Sequence, residues 1–301
     1  MDLRQLEYFV AVADECNFTK AALRCHVVQS ALSHQIARLE REHGIRLFHR
    51  TSRSVRLAPA GEVLLPHARA LLQGAELARA ELAAFSGLIT GRLRLGMVGS
   101  VGRAAPLVED ALIAFHTRHP GVEIAAQDTG SRHMAGQVQA GELDLAFVGL
   151  FAGQAPDGLV HHLLTDEPLV AVVARSHPLA GNQRASLGEL ADHGPFIDMR
   201  PESGLRLQVD AAFDRAGIAR RVAFEVGSSD GVVRFVGLGF GAALVPASAI
   251  GAAAEVSVLR LDDPDARHPI GLVHPRPRPA APSARAFLDL VLEATGAAHR
   301  G

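Results

Sequence analysis

Three features of the 301-residue sequence predict an α/β fold in three parts. A compact, arginine-rich run of short helices opens the chain. One long helical stretch with a single apolar seam follows it. From Arg92 onward strands and helices alternate, the signature of a sheet flanked by helices. The length allows two or three folding units, and a hydrophobic content of 48% can supply their cores.

Overall charge selects no partner, because the formal net charge is only −2. Its distribution is more informative. Between Arg24 and Arg56 seven arginines (24, 38, 41, 46, 50, 53, 56) face two acids, Glu40 and Glu42, a local +5 within 33 residues. Such a basic block in a helical unit suits phosphate. The two cysteines, Cys16 and Cys25, form no CxxC pair, so a zinc site is not expected and small, partly buried thiols are. Acids and arginine interrupt MDLRQLEYF before an apolar run can form, so no secretion signal is expected there. No run of about 20 apolar residues occurs, and a cytoplasmic protein with no membrane partner is the expectation.

In chain order, Leu6, Phe9, Val10 and Ala13 fall at helical spacing and predict an amphipathic helix over Leu3–Asp14. Asn17 breaks it. Thr19 is expected to cap a second helix of about Lys20–Cys25, with Phe18 and Leu23 as a hydrophobic staple. A third helix, about Ser30–Glu42, is two-faced: Leu32, Ile36 and Leu39 on one side, Ser30, Ser33, His34, Arg38 and Arg41 on the other. Alone, that outer face would be ordinary solvated surface. Next to a short packed helix and a basic hairpin, it is equipped to read base edges and hold phosphates. Gly44 ends the helix, and RLFHRTSRSVRL forms two strands around Thr51–Ser54, a wing carrying Arg50, Arg53 and Arg56.

These residues carry a family resemblance. LRQLEYFVAVADECNFTKAA, QSALSHQIARLE and LFHRTSRSVRLAPAG, in that order and spacing, resemble the winged helix-turn-helix of LysR-type transcriptional regulators over about 60 residues. The chain departs from the usual pattern at Val28 (commonly a small hydroxyl residue), Ser30 (proline) and His34 (arginine). Resemblance and outer face together nominate Thr19, Lys20, Gln29, Ser30, Ser33, His34, Arg38, Arg50 and Arg53 as DNA contacts.

From Pro59, Leu64, Ala68, Leu71, Ala75, Ala78, Leu82 and Phe85 step alternately by 4 and 3, three heptads of one seam. By itself such a seam could pack on the chain's own body. The resemblance implies instead a linker helix that pairs two subunits. Pro66 should bend or loosen the first turns, and Ser86–Gly91 should end the helix.

The α/β part resembles the family's effector-binding module, similar to periplasmic solute-binding proteins: two lobes joined by crossing strands, with a ligand cleft between them. A mainly parallel sheet is expected, with crossings near Leu163–Thr165 and Arg267–Ile270 and a last helix over Pro282–Ala294. The expected scheme is a winged helix-turn-helix over 1–58, a dimerisation helix over 59–90 and a periplasmic-binding-protein-like effector domain over 91–301. Lobe I takes 91–163 and 268–301, lobe II 164–267. Gly99–Gly102 and Thr129–Ser131 each follow a strand and open a helix, where free N–H groups can hold an anion. The resemblance turns both loops to the cleft and nominates Ser100, Val101, Thr129 and Gly130. From the second lobe Phe196, Asp198, Ser203 and Gly227 are the candidates, with Arg200 beside them. Arg200 would pair with a carboxylate and Asp198 with an amine or hydroxyl, and both remain open at this stage.

Other motifs are declined. Gly237–Gly241 follows a helix and precedes a strand, the reverse of the dinucleotide fingerprint's order. His116/His119 and His161/His162 lack acids or thiols at ligand spacing. No catalytic set, metal or cofactor is expected. The resemblance thus implies a regulator that binds a dyad-symmetric double-stranded DNA operator and a small-molecule effector. It implies a homodimer or homotetramer, with RNA polymerase as a possible further partner. The competing reading is a cytoplasmic solute-binding or enzymatic α/β protein whose N-terminal helices serve as an interaction arm.

Overall fold

A computed structural model describes residues 1–50, 54–98, 104–150, 155–251 and 255–298. The chain divides into two compact units, Met1–Ser86 and Gly87–Gly301.

In the first unit α1 (Leu3–Glu15) starts in a capping box made by Asp2 and Gln5. Asn17, expected only to break α1, caps α2 (Phe18–Arg24): its side chain accepts from the N–H groups of Thr19 and Lys20 at 2.8 and 3.0 Å. Thr19 is therefore inside the helix, because the amide oxygen two residues earlier already satisfies the free donors. The expected staple does not form. Leu23 is 70% exposed, and Phe18 instead packs edge-on against Phe48 at 5.9 Å.

Helix α3 (Gln29–His43) begins one residue earlier than expected. Val28 stands at its cap without a side-chain bond, so Ser30 lies within the helix and caps nothing. Gly44, at φ +66°, ends it in the left-handed conformation glycine adopts freely. Leu32, Ile36 and Leu39 are fully buried with Leu6, Phe9 and Leu47, each contributing about 1.5–3 kcal/mol. The wing strands β1 (Phe48–Arg50) and β2 (Val55–Leu57) pair antiparallel, Phe48 opposite Leu57. Helix α4 spans Pro59–Phe85 and continues through Pro66. Its early residues Leu64, Leu65, Ala68 and Leu72 close the core of this unit from below.

The second unit contains β3 (Gly91–Met97), α5 (Ala105–Arg118), β4 (Val122–Gln127), α6 (Ser131–Gln139) and β5 (Leu145–Val148). The long strand β6 (Leu159–Ala174) follows, then β7 (Arg184–Ala185), α7 (Leu187–Asp192), β8 (Phe196–Met199) and α8 (Gly204–Ala216). Next come β9 (Val222–Val226), α9 (Ser229–Gly237), β10 (Ala243–Pro246), β11 (Val256–Leu261), β12 (Arg267–Pro275) and α10 (Pro282–Ala298). Strands β4, β3 and β5 run parallel, but β12 joins β5 antiparallel and β6 joins β12 antiparallel. The sheet is thus mixed, not mainly parallel, because β12 enters between β5 and β6 antiparallel to both, and β6 is also antiparallel to β10 and β11.

Strand β6 pairs with β12 up to Pro168 and with β10 and β11 from Leu169 and Val170. The change of lobe falls there and not at Leu163–Thr165. Pro168 has no N–H to donate, so the ladder can change partners at that residue with little loss. One lobe packs around Phe115, Phe147 and Phe287, and α10 lies on it as expected. The other packs around Phe196, Phe213 and Val172. Gly237–Gly241 is the turn from α9 to β10.

Candidate nucleic-acid interface and effector cleft

The outer face of α3 is open. Ser30, His34 and Arg38 are exposed, as are Gln29 at the start of the helix and Thr19 and Lys20 on α2. Arg38 leans on Glu42 at 2.8 Å, an i,i+4 pair that costs little to break in solvent. Ser33 is half-buried because it meets the wing: Arg50 donates to its Oγ at 3.3 Å. The same guanidinium donates to Glu40 at 3.1 Å and lies 4.4 Å from the centre of the Phe18 ring. Arg50 is thus a clamp between wing, α2 and α3 as well as a candidate phosphate contact. Arg53 lies outside the described residues.

Glu40 was legible in the sequence only as one of two acids in a basic block. In the fold its other oxygen accepts from the backbone N–H groups of Leu47 and Phe48 at 2.9 and 3.2 Å. It fixes the first wing strand on α3. Both acids of the block are therefore engaged within the unit, while Arg41, Arg46 and Arg56 stay exposed.

In the second unit the lobes meet through small residues. Gly130, at φ +90°, leads into α6, and a Cβ on it would lie 2.4 Å from the carbonyl oxygen of Glu202. A Cβ on Gly204, the first residue of α8, would lie 2.6 Å from Ser131 Oγ and 2.7 Å from Gly149. Ser131 Oγ accepts from the Gly149 N–H at 2.9 Å. The N-termini of α6 and α8 thus come together across the lobes, and only glycine permits the approach. Ser203 caps α8, accepting from the Arg206 N–H at 3.1 Å. Thr129 is exposed and donates to Gln137 at 3.1 Å. Sequence reasoning placed Ser131 in an anion-holding loop but missed its tie to Gly149, and it missed Gly149 and Gly204 altogether. Their signal is the pair of Gly–Ser and Ser–Gly steps at two helix starts.

Two candidates are corrected. Phe196 is fully buried in the core of its lobe, edge-on to Phe213 at 5.1 Å, and faces no cleft. Asp198 is also buried, and Arg220 donates to it at 3.0 and 2.6 Å. Burial pushes its carboxyl above the usual carboxylate range, and Arg220 and Arg206 oppose that shift. Both residues sit on β8, an interior strand, so the pattern GPFIDM leads into the core of the lobe and not to the cleft. Arg200, just after β8, is exposed, with its guanidinium packed over Gly227 at 3.0 Å from where a Cβ would be. Gly227 is exposed one residue before Ser228, the cap of α9. Ser100 and Val101 lie outside the described residues.

The crossing strands carry a polar core. Gln208 on α8 is buried and donates to the Pro269 carbonyl at 3.1 Å, while its oxygen meets His268 Nδ1. His161 and His162 point to opposite faces of β6. His162 stacks on His274 with their Nε2 atoms 3.0 Å apart. The Nδ1 of His274 lies 2.8 Å from the Pro275 carbonyl, so that nitrogen carries the hydrogen and Nε2 accepts from His162. Burial lowers the pKa of both rings.

Comparison with known proteins agrees with this geometry. Residues 3–62 match the model of the bacterial regulatory helix-turn-helix protein, lysR family. Residues 86–296 match the LysR substrate binding domain. The HTH-type transcriptional regulator YnfL of Escherichia coli is 34% identical over 98% of this chain and 99% of its own. The DNA-binding transcriptional dual regulator OxyR of Escherichia coli is 30% identical over 94% and 91%. The crystal structure of CbnR, a LysR family transcriptional regulator, superposes with a TM-score of 0.68 at 25% identity, covering 98% of this chain and 99% of that one. Full-length CbnR complexed with its target DNA gives 0.67 at the same identity.

Proposed function

The chain belongs to the LysR family of bacterial regulatory helix-turn-helix proteins and is a transcriptional regulator, not an enzyme; from that premise we propose how its parts divide the work. Residues 1–58 read DNA, 59–90 pair two chains, and 91–301 bind the effector. Helix α3 enters the major groove with Gln29, Ser30, Ser33, His34 and Arg38. Thr19 and Lys20 hold phosphate, and Arg50 and Arg53 bring the wing to the backbone or minor groove. The observation that carries this reading is the open outer face of α3 over a fully buried inner one. CbnR has been seen with its target DNA, and by likeness this chain binds duplex DNA too. Two heads on one dimer meet a dyad-symmetric operator; pairs of dimers form tetramers, and bound protein contacts RNA polymerase.

The effector is a small molecule held between the lobes by Ser100, Val101, Thr129, Gly130, Ser203 and Gly227. Arg200 favours a carboxylate, since Asp198 is already engaged by arginine. Residues 87–301 contain no cysteine, so a thiol in this module cannot serve as the sensor. Effector binding shifts transcription by favouring one lobe arrangement over another. Among the described residues no helix is long and apolar enough to cross a membrane, and the protein works in the cytoplasm.

A duplex from upstream of the protein's own gene, titrated by fluorescence anisotropy at several salt concentrations, tests the DNA reading. Binding should weaken steeply with salt and fall in a Ser33→Ala/Arg53→Ala variant. Salt-independent binding, or none, would reject it. A thermal-shift screen of small carboxylates, with Arg200→Ala as the control, tests the cleft.

A further inference from the structure

Helix α8 serves two cores at once. Leu205, Val209, Ala212 and Phe213 are buried in the core of lobe II. Leu207 packs instead on the lobe I cluster of Met134, Val138, Leu150 and Val273. Gly204 and Gln208 also meet lobe I, and they stand one helical turn apart, about 6 Å along the axis. Their contacts differ in kind. Gln208 is buried and tied to β12 by directed bonds, through the Pro269 carbonyl and His268 Nδ1. Gly204 touches lobe I through backbone alone: the Cα and carbonyl oxygen of Gly149 both lie 2.7 Å from where its Cβ would be. Beside them the buried Ser131 hydroxyl accepts from the Gly149 N–H. Glu202, two residues before Gly204, meets Gly130 in the same way.

One end of this contact is fastened and the other is only fitted. We propose that Gln208 is a pivot on β12, and that the Gly204–Gly149–Ser131 contact is a latch one turn away, which opens when the effector enters. This rests on the effector lying between the lobes. Thr129 and Ser203, both candidate effector contacts, adjoin the two glycines of the closed turns, Gly130 and Gly204. With Glu202 seated against Gly130, a ligand that touches both Thr129 and Ser203 has to part these turns. The ligand therefore competes with the latch. That competition supplies the difference in affinity between closed and open lobes that coupling requires. A fitted backbone contact is also sensitive to volume, so one methyl group at position 204 opens it without any ligand.

Hydrogen exchange of the full-length protein, read by mass spectrometry, tests the latch. Gly204 is helical, so Gly204→Ala suits the backbone and acts through its added volume. It should speed exchange in segments 145–150 and 203–208 at least roughly tenfold, with β3 and α10 unchanged. Ser131→Ala adds no volume but removes the acceptor of the Gly149 N–H. It should speed exchange of segment 145–150 by a similar factor, and it decides the matter if Gly204→Ala folds poorly. Gly136→Ala on α6, where nothing lies within 4 Å of the added carbon, should leave exchange as it is. Unchanged exchange in Gly204→Ala and Ser131→Ala, or equal acceleration in Gly136→Ala, would overturn the latch. Titration of the same variants against the upstream duplex separates the latch from the reading it rests on. Gly204→Ala should shift DNA affinity roughly fivefold or more. Faster exchange with unchanged affinity would reject control of DNA binding by the lobes and not the latch itself.

Discussion

The DNA-reading head and the effector module bury different chemistry. Among the described residues, the only buried polar side chain of the head is Gln5 of the α1 capping box. The module buries Asp144, Glu167, Asp198, Gln208, His268 and His274 besides several serines. A head that has only to present a rigid face can be built from an apolar core and local caps. A module of two lobes must hold strands that change partners midway, and its buried polar groups fix which strand meets which. The head's stability should therefore erode in small steps, and the module's should collapse when one buried partner is removed.

The largest expected effect tests that contrast at Asp198. Arg220→Ala strands a buried carboxylate and should cost about 3–5 kcal/mol, seen as a selective fall in the module's unfolding transition by calorimetry. A loss below about 1 kcal/mol would mean that water or Arg206 replaces the partner. In the head, Glu40→Gln should cost about 1–3 kcal/mol, since it weakens acceptance from two backbone N–H groups and Arg50. It should also reduce DNA affinity by loosening the wing, and intact affinity would show the wing is held otherwise. Asn17→Ala should cost only about 1 kcal/mol and leave the module's transition untouched.

The smallest effect concerns pH. His162 and His274 have lowered pKa values in the fold, so the unfolded chain binds more protons as pH falls below about 6.5. Their contribution is fully present above that pH and is lost as pH drops through the lowered folded values. The module's Tm should decline over that range, and a His162→Phe/His274→Leu variant should show a flatter profile. An unchanged slope would assign the acid sensitivity to other groups.

Much of the head was legible in advance. The 3.6-residue period placed the inner face of α3, and the heptad steps after Pro59 read as the one long helix that α4 is. The differences there were one or two residues at helix starts, where Asn17 outcompeted Thr19 as cap and α3 began without a side-chain cap, and the staple, whose Leu23 is exposed while Phe18 packs on Phe48. In the module the alternation of elements was legible, but the cleft residues were less so. A strand such as FIDM reads the same whether its side chains face a ligand or a core, and Phe196 and Asp198 proved to be interior.

By itself the sequence determined the helices of the head, the apolar seam and the α/β order of the module, because periodicity, glycine and proline act within a few residues. Only the tertiary structure decided what each polar group serves. Asp198 meets Arg220 across 22 positions, and His162 meets His274 across 112. Such pairings arise when strands and helices distant in the chain pack together, and no local pattern records them.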